Sequence, residues 1–270
     1  MSKNNRDSSE LFYSFFSLFQ PKQVKEAEIE DEWKAHVLPH SSIRSLAPNL
    51  WQITGILSSL IAPREMVIYR LPDSTLLIHS AIALADREMQ QLEALGTPNI
   101  LIVPNRIHRL DARVYKQRYP NLKIVAPAAA KPYVEEVVPV DAIAEDLLPD
   151  YGIICHQPEG IRPQELVYEI PLSNGKALLF TDILFNLTEA YLDTYAPCSK
   201  FTLRWLGAIG YFGITPLGRR FFMTDKIIYR HWLEKLADRV TPLQVISVAH
   251  GEPITVNCDR QLRQAADRLS

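Results

Sequence analysis

The side chains in this sequence able to do metal or acid–base chemistry are His108, Asp111, His156, Asp182 and His250. Four of them stand at the ends of apolar runs: His108 after Ile100 to Val103, His156 closing Ile153 to His156, Asp182 after Ala177 to Phe180, and His250 after Val245 to Ala249. Asp111 follows His108 within one helical turn. Groups carried on the ends of core strands can meet in one cleft on rigid supports, which a metal or catalytic site requires. Imidazole and carboxylate ligands suit zinc, iron or manganese, so the cofactor expectation is either none or one such divalent metal. Arg106 and Arg109, beside His108, offer the opposite solution, a fixed guanidinium pairing with Asp182 in place of a cation. No Ser/His/Asp or Cys/His arrangement stands out. Cys155 and His156 are adjacent strand residues that point to opposite faces, so catalytic residues stay unassigned.

These groups must be positioned by elements that the hydrophobic pattern places. Leu50 to Thr54, Met66 to Leu71 and Thr75 to His79 read as successive strands, with Pro72-Asp73-Ser74 as a turn. Leu84 to Leu95 reads as a helix stopped by Gly96, and Asn99 to Val103 as a strand covered on both faces. A helix over Ala112 to Arg118 and a strand over Lys123 to Ala126 follow. The second half repeats the grammar with strands at Ile153 to His156, Glu165 to Ile170 and Lys176 to Phe180, the last two joined by Ser173-Asn174-Gly175. Asn-Gly tolerates the positive φ angles of such a hairpin turn. A largely helical stretch is expected over Leu187 to Leu236, where the clustered Gly207, Gly210, Gly213 and Gly218 argue against one continuous helix. A buried strand at Gln244 to Ala249 and a helix at Asp259 to Leu269 close the chain. The expectation is an α/β fold with two sheets and outer helices.

Composition narrows the partners. With 29 basic and 31 acidic residues among 270, the net charge is −2, and nucleic acid is not an expected partner. Three scattered cysteines fit a reducing, cytoplasmic setting better than a disulfide framework. Gly is scarce, and no phosphate-binding glycine loop appears. Residues 1–47 read as an extension ahead of a domain spanning 48–270. Within it, Leu11 to Phe19 is strongly aromatic but too short to span a bilayer, and on a helix Leu11, Phe12, Phe15, Phe16 and Phe19 share a face. That face either docks on the domain or makes peripheral membrane contact. Lys22 to Lys34 is charge-dense and reads as a linker or solvated helix.

Three segments together resemble the last metal-binding segments of the metallo-β-lactamase superfamily. They are Cys155-His156-Gln157-Pro158-Glu159-Gly160, Phe180-Thr181-Asp182-Ile183-Leu184-Phe185 and Val248-Ala249-His250-Gly251-Glu252. The resemblance runs over roughly residues 48–268 and implies a four-layer αββα sandwich with its site at the sheet edges. It implies His156 as a ligand of one metal, Asp182 as a bridging ligand and His250 as a ligand of the second. The departures are informative. Where the superfamily has H-x-H-x-D-H, this chain places Asn105, Ile107 and Arg109 at the first two histidines and the aspartate. His79 replaces the acidic residue often found after the third strand, and Thr181 the glycine before the bridging aspartate. Ile cannot ligate a metal and Arg repels one. The resemblance therefore implies a divergent branch with a degenerate signature and an impaired dinuclear site, working as a binding or assembly module with a small molecule or protein partner. The alternative is a single-metal hydrolase of a small-molecule ester, amide or thioester, built from His108, His156, Asp182 and His250.

Overall fold

The computed structural model describes residues 29–57 and 62–270, so the aromatic segment at 11–19 lies outside the described residues. Helix α1 (Ile29–His36) leads into β1 (Arg44–Ala47), β2 (Leu50–Gly55), β3 (Arg64–Arg70) and β4 (Thr75–His79). These are paired antiparallel in sequence order. After α2 (Asp86–Leu95), the strands β5 (Thr97–Ile102), β6 (Lys123–Ala126) and β7 (Ala142–Ile143) add in parallel, with α3 (Ala112–Arg118) and α4 (Lys131–Val134) crossing between them. Parallel neighbours need such crossovers, whereas β1 to β2 and β3 to β4 are joined by short turns. The seven strands form one sheet.

A second sheet has the order β13-β10-β9-β8. Here α5 (Ala144–Leu147) precedes β8 (Ile154–His156), β9 (Val167–Leu172) and β10 (Gly175–Leu179), and β13 (Leu243–Ser247) lies parallel to β10. The expected hairpin joins β9 to β10, but Leu172 pairs with Gly175, so Ser173 and Asn174 form the loop. Only Gly175 of the three takes a positive φ.

The sheets face each other through Leu50, Val67, Leu77, Ile100 and Ile102 on one side and Leu166, Tyr168, Ile170, Leu179 and Val245 on the other. Burial of each such side chain contributes about 1.5–3 kcal/mol. Helices cover both outer faces. The Met89, Leu92, Val114 and Tyr115 side chains of α2 and α3 pack under the first sheet. Leu233 and Leu236 of α9 (Lys226–Arg239) and Leu262 and Ala266 of α10 (Cys258–Asp267) pack under the second. The architecture is the αββα sandwich anticipated from the sequence.

Two regions differ from the sequence pattern. The stretch 187–236 is largely helical and broken at its clustered glycines, as expected, but it also carries a short strand. The strand β11 (Phe185–Asn186), just ahead of this stretch, pairs with β12 (Phe212–Gly213) inside it, with α6 (Glu189–Tyr195) and α7 (Lys200–Trp205) between them and α8 (Pro216–Phe221) ahead of α9. Positive φ at Gly207 and Gly210 breaks the helical run. In the charge-dense segment, α1 is docked and not solvated throughout. Trp33 is buried with its indole N–H donating to Leu84 O at 3.0 Å, and buried Glu32 pairs with Arg113 and accepts from Gln117 Nε2. Arg44–Ala47, inside the expected extension, is one of the two edge strands of the first sheet.

Candidate metal centre

Sheet order brings two of the expected groups together. β10 and β13 are neighbours with Leu179 opposite Ser247, so Asp182 and His250, each following its strand by the same offset, emerge side by side. His108 reaches them from the loop after β5 in the facing sheet. Asp182 Oδ1 lies 3.2 Å from His108 Nε2 and 3.2 Å from His250 Nε2. One ligand atom from each of the three residues falls within 4.8 Å of the others. All three are buried, at 6% (His108), 5% (Asp182) and 7% (His250) exposure, which keeps water from screening their charges.

Each group is held by a second set of contacts. His250 Nδ1 is 2.7 Å from Pro63 O, and His108 Nδ1 is 2.9 Å from Ser80 Oγ. A carbonyl only accepts, so Nδ1 of His250 carries the proton. In the neutral ring Nε2 is then a bare lone pair, and it faces the carboxylate Oδ1. Two acceptors at 3.2 Å are stable only when a positive charge joins them, either a second proton on the imidazole or a cation between them. Backbone-anchored Nδ1–H with an outward Nε2 is the arrangement metal-binding histidines use.

The other Asp182 oxygen is occupied. Asn105 Nδ2 donates to Asp182 Oδ2 at 2.6 Å and to Glu165 Oε2 at 3.3 Å, while Asn105 Oδ1 accepts from the backbone N–H groups of Ile107 (2.8 Å) and His108 (3.0 Å). Those two amide donors fix which end of the Asn105 side chain is oxygen. Glu165 accepts from the Asp182 and Ile183 backbone amides, so the loop after β10 is clamped from below. Burial and the adjacent Asp182 push Glu165 up to about 8. Burial alone would also raise Asp182, but the imidazoles of His108 and His250 outweigh it and hold its carboxyl well below the ordinary range. Burial lowers His108 against the pull of Asp182. His79, fully buried behind the cluster, is depressed to about 3 by burial and by His108, and its Nε2 has no hydrogen-bond partner among the described residues.

An aromatic ring borders the centre. The Phe185 ring lies 4.7 Å from that of His250, centroid to centroid. The backbone of β11 runs against the His250 turn, with Asn186 N donating to His250 O and Glu252 N to Asn186 O. Gly251 makes that approach feasible: at φ +122° a Cβ there would sit 2.1 Å from Asn186 O.

The remaining expected residues stand elsewhere. His156 ends β8, two strands from β10, and bonds Glu169 Oε2 at 2.7 Å; Glu169 is also paired with Lys176. Two strand spacings are about 10 Å, too far for a shared ion. Asp111 is buried against Arg64 and His36 and accepts from Ala83 N at 3.0 Å; burial would raise it, but Arg64 holds it low. It anchors α1 and lies outside the cluster. Arg109 bonds Tyr133 O and Glu136, and the Arg106 guanidinium lies 4.2 Å over the Tyr133 ring, so neither expected substitute charge takes the place the two imidazoles hold beside Asp182. Sequence reasoning treated Asn105 only as a lost ligand and Glu165 only as a strand residue. The one signal for Asn105 was its position at the first histidine of the signature; Glu165, after Pro163-Gln164 at a strand start, carried none.

No protein-family model matches the chain, and no curated protein matches it by sequence. Solved structures do match in fold. The metallo-β-lactamase FIM-1 from Pseudomonas aeruginosa in its mono-zinc form is similar with a TM-score of 0.55 at 12% identity, covering 86% of this chain and 97% of that one. The metallo-β-lactamase DIM-1 gives 0.57 at 12% identity, with 86% and 100% covered. A metallo-β-lactamase from Hirschia baltica gives 0.54 at 12%, with 84% and 98% covered. At such identities the likeness establishes the fold, which is that of the metallo-β-lactamases.

Proposed function

We propose that this chain holds one divalent metal ion on His108 Nε2, Asp182 Oδ1 and His250 Nε2 and acts as a single-metal hydrolase of a small ester, amide or thioester. The observation that carries the reading is the lone pair of His250 Nε2 facing Asp182 Oδ1 at 3.2 Å, with Nδ1 committed to Pro63 O. Two imidazoles and a carboxylate suit zinc, and equally iron or manganese. A bound ion would supply Lewis acidity, polarising a carbonyl and lowering the pKa of bound water to about 7. The chain's own residues do the rest. Pro63 O and Ser80 orient the imidazoles, Asn105 holds the carboxylate, and the Phe185 ring against His250 would favour a substrate with an apolar group beside the reacting carbonyl. The position of His156, paired with Glu169 two strands from β10, also favours one ion over two.

A second reading, a metal-containing binding or assembly module without turnover, is favoured by the low exposure of the cluster and by Ile107 and Arg109 in the signature segment. Metal analysis of protein purified without chelator, followed by assay against ester and thioester panels, separates the readings. One equivalent of metal, lost together with hydrolysis in His250→Ala and Asp182→Ala, supports the hydrolase. Metal without turnover supports the module, and a folded protein that takes up no metal removes both.

A further inference from the structure

The lobe that carries β12 has no role in the metal centre, yet its surface is unlike the rest of the molecule. Helix α7 buries none of its residues fully. Leu203 packs into the small cluster of Leu187, Tyr191 and Leu192, while Phe201 and Trp205, one helical turn apart on the opposite face, are each 79% exposed. Few soluble surfaces present two large aromatics so fully. Leu217, also exposed, lies on α8, which begins against the end of α7, since a Cβ on Gly207 would stand 3.3 Å from Pro216.

Charge gives the patch a partner. From Thr194 to Thr224 there is no acidic residue, while Lys200, Arg204, Arg219 and Arg220 are basic, in a chain whose net charge is −2. Lys200 and Arg204 are met by Glu189 and Asp193 of α6. Arg219 and Arg220 are exposed and, among the described residues, paired with no carboxylate; Arg219 bonds Arg268 O, and Arg268 lies over Tyr211. Trp and Phe beside exposed arginines match the interfacial zone of an anionic bilayer, where rings sit at headgroup depth and guanidinium groups meet lipid phosphates.

We infer that α7 and α8 dock this protein on an anionic lipid surface through Phe201, Trp205, Leu217, Arg219 and Arg220. Because β12 pairs with β11, and Leu187 bridges to Ile209, docking would hold the His250 and Phe185 edge close to the lipid. The inference does not depend on metal or turnover.

Co-sedimentation of the full chain with vesicles tests it, using phosphatidylcholine alone and phosphatidylcholine with about a quarter phosphatidylserine. The wild type is expected to partition to the anionic vesicles, less so in high salt. F201A/W205A and R219E/R220E should each lower the partition coefficient by about tenfold or more. Circular dichroism and melting should be unchanged, since these side chains are exposed. No binding to anionic vesicles overturns the inference, as does binding that neither double variant weakens, which would assign it to residues 11–19. Loss of a concentration-dependent dimer in F201A/W205A without any change in vesicle binding would assign the patch to a second copy and also overturn it.

Discussion

Replacing Asn105 by Ala should be among the most damaging single changes in the chain, although Asn105 is neither apolar nor a ligand. Its side chain is 2% exposed and makes close contacts in two directions. Removing it leaves the amides of Ile107 and His108 without their acceptor and Asp182 Oδ2 without its donor. Each buried orphan costs about 1–3 kcal/mol, and the bond to the carboxylate is at the upper end because it is charge-assisted. Allowing for some relaxation of the loop, the loss is about 4 kcal/mol, a large share of the roughly 5–15 kcal/mol that holds a domain together. Urea unfolding followed by tryptophan fluorescence measures it. Asn105→Asp is the companion variant, because it keeps the acceptor for both amides and replaces the donor with a charge beside Asp182 and Glu165. It should be as unstable as Asn105→Ala at neutral pH and recover in mild acid. Metal affinity should fall by about 10- to 100-fold in variants that still fold, as when supporting partners of ligands are removed. A loss under about 1 kcal/mol for Asn105→Ala, or a fully stable Asn105→Asp at neutral pH, would refute this reasoning.

Three further outcomes follow from buried groups elsewhere. Glu65 accepts from Gln52, Thr54 and Tyr191, and burial raises it from 4.5 to about 8, so the folded chain holds a proton the unfolded chain has released. Stability should therefore fall as pH rises from about 4.5 to about 8, and Glu65→Gln should make that slope shallower in urea titrations at several pH values, leaving the share that Glu165 contributes. Gly251→Ala would force a Cβ to 2.1 Å from Asn186 O, so β11 must shift; thermal melting should drop and metal binding weaken together. Asp111→Ala breaks the buried pair with Arg64 and should cost about 3–5 kcal/mol in urea unfolding, while metal stoichiometry in the folded fraction stays unchanged.

How much of this was legible in the sequence depended on what each residue signals. The apolar runs around Ile100, Leu178 and Val245 mark strands because few other elements bury side chains on both faces, and the polar residues that follow them mark a sheet edge. A strand-end position says nothing about distance along that edge. His108, Asp182 and His250 meet because β10 and β13 are neighbours and the β5 loop faces them; His156 stands apart because β8 lies two strands from β10, at the edge opposite β13. Register and strand order come from long-range packing, which single-sequence periodicity does not encode. The roles of Asn105 and Glu165 were hidden for a related reason: a buried amide bridging two carboxylates is defined only by tertiary contacts. In the stretch 187–236, glycine clustering pointed to breaks but not to the β11–β12 ribbon, whose strands are too short for a period to show.

Anomalous diffraction from crystals soaked in zinc, collected on both sides of the zinc edge, tests the central claim. The account predicts one peak at coordination distance from His108 Nε2, Asp182 Oδ1 and His250 Nε2, with the Asn105 amide still on Asp182 Oδ2. A fully folded crystal with no peak there, or with a peak at His156 and Glu169 instead, would contradict it.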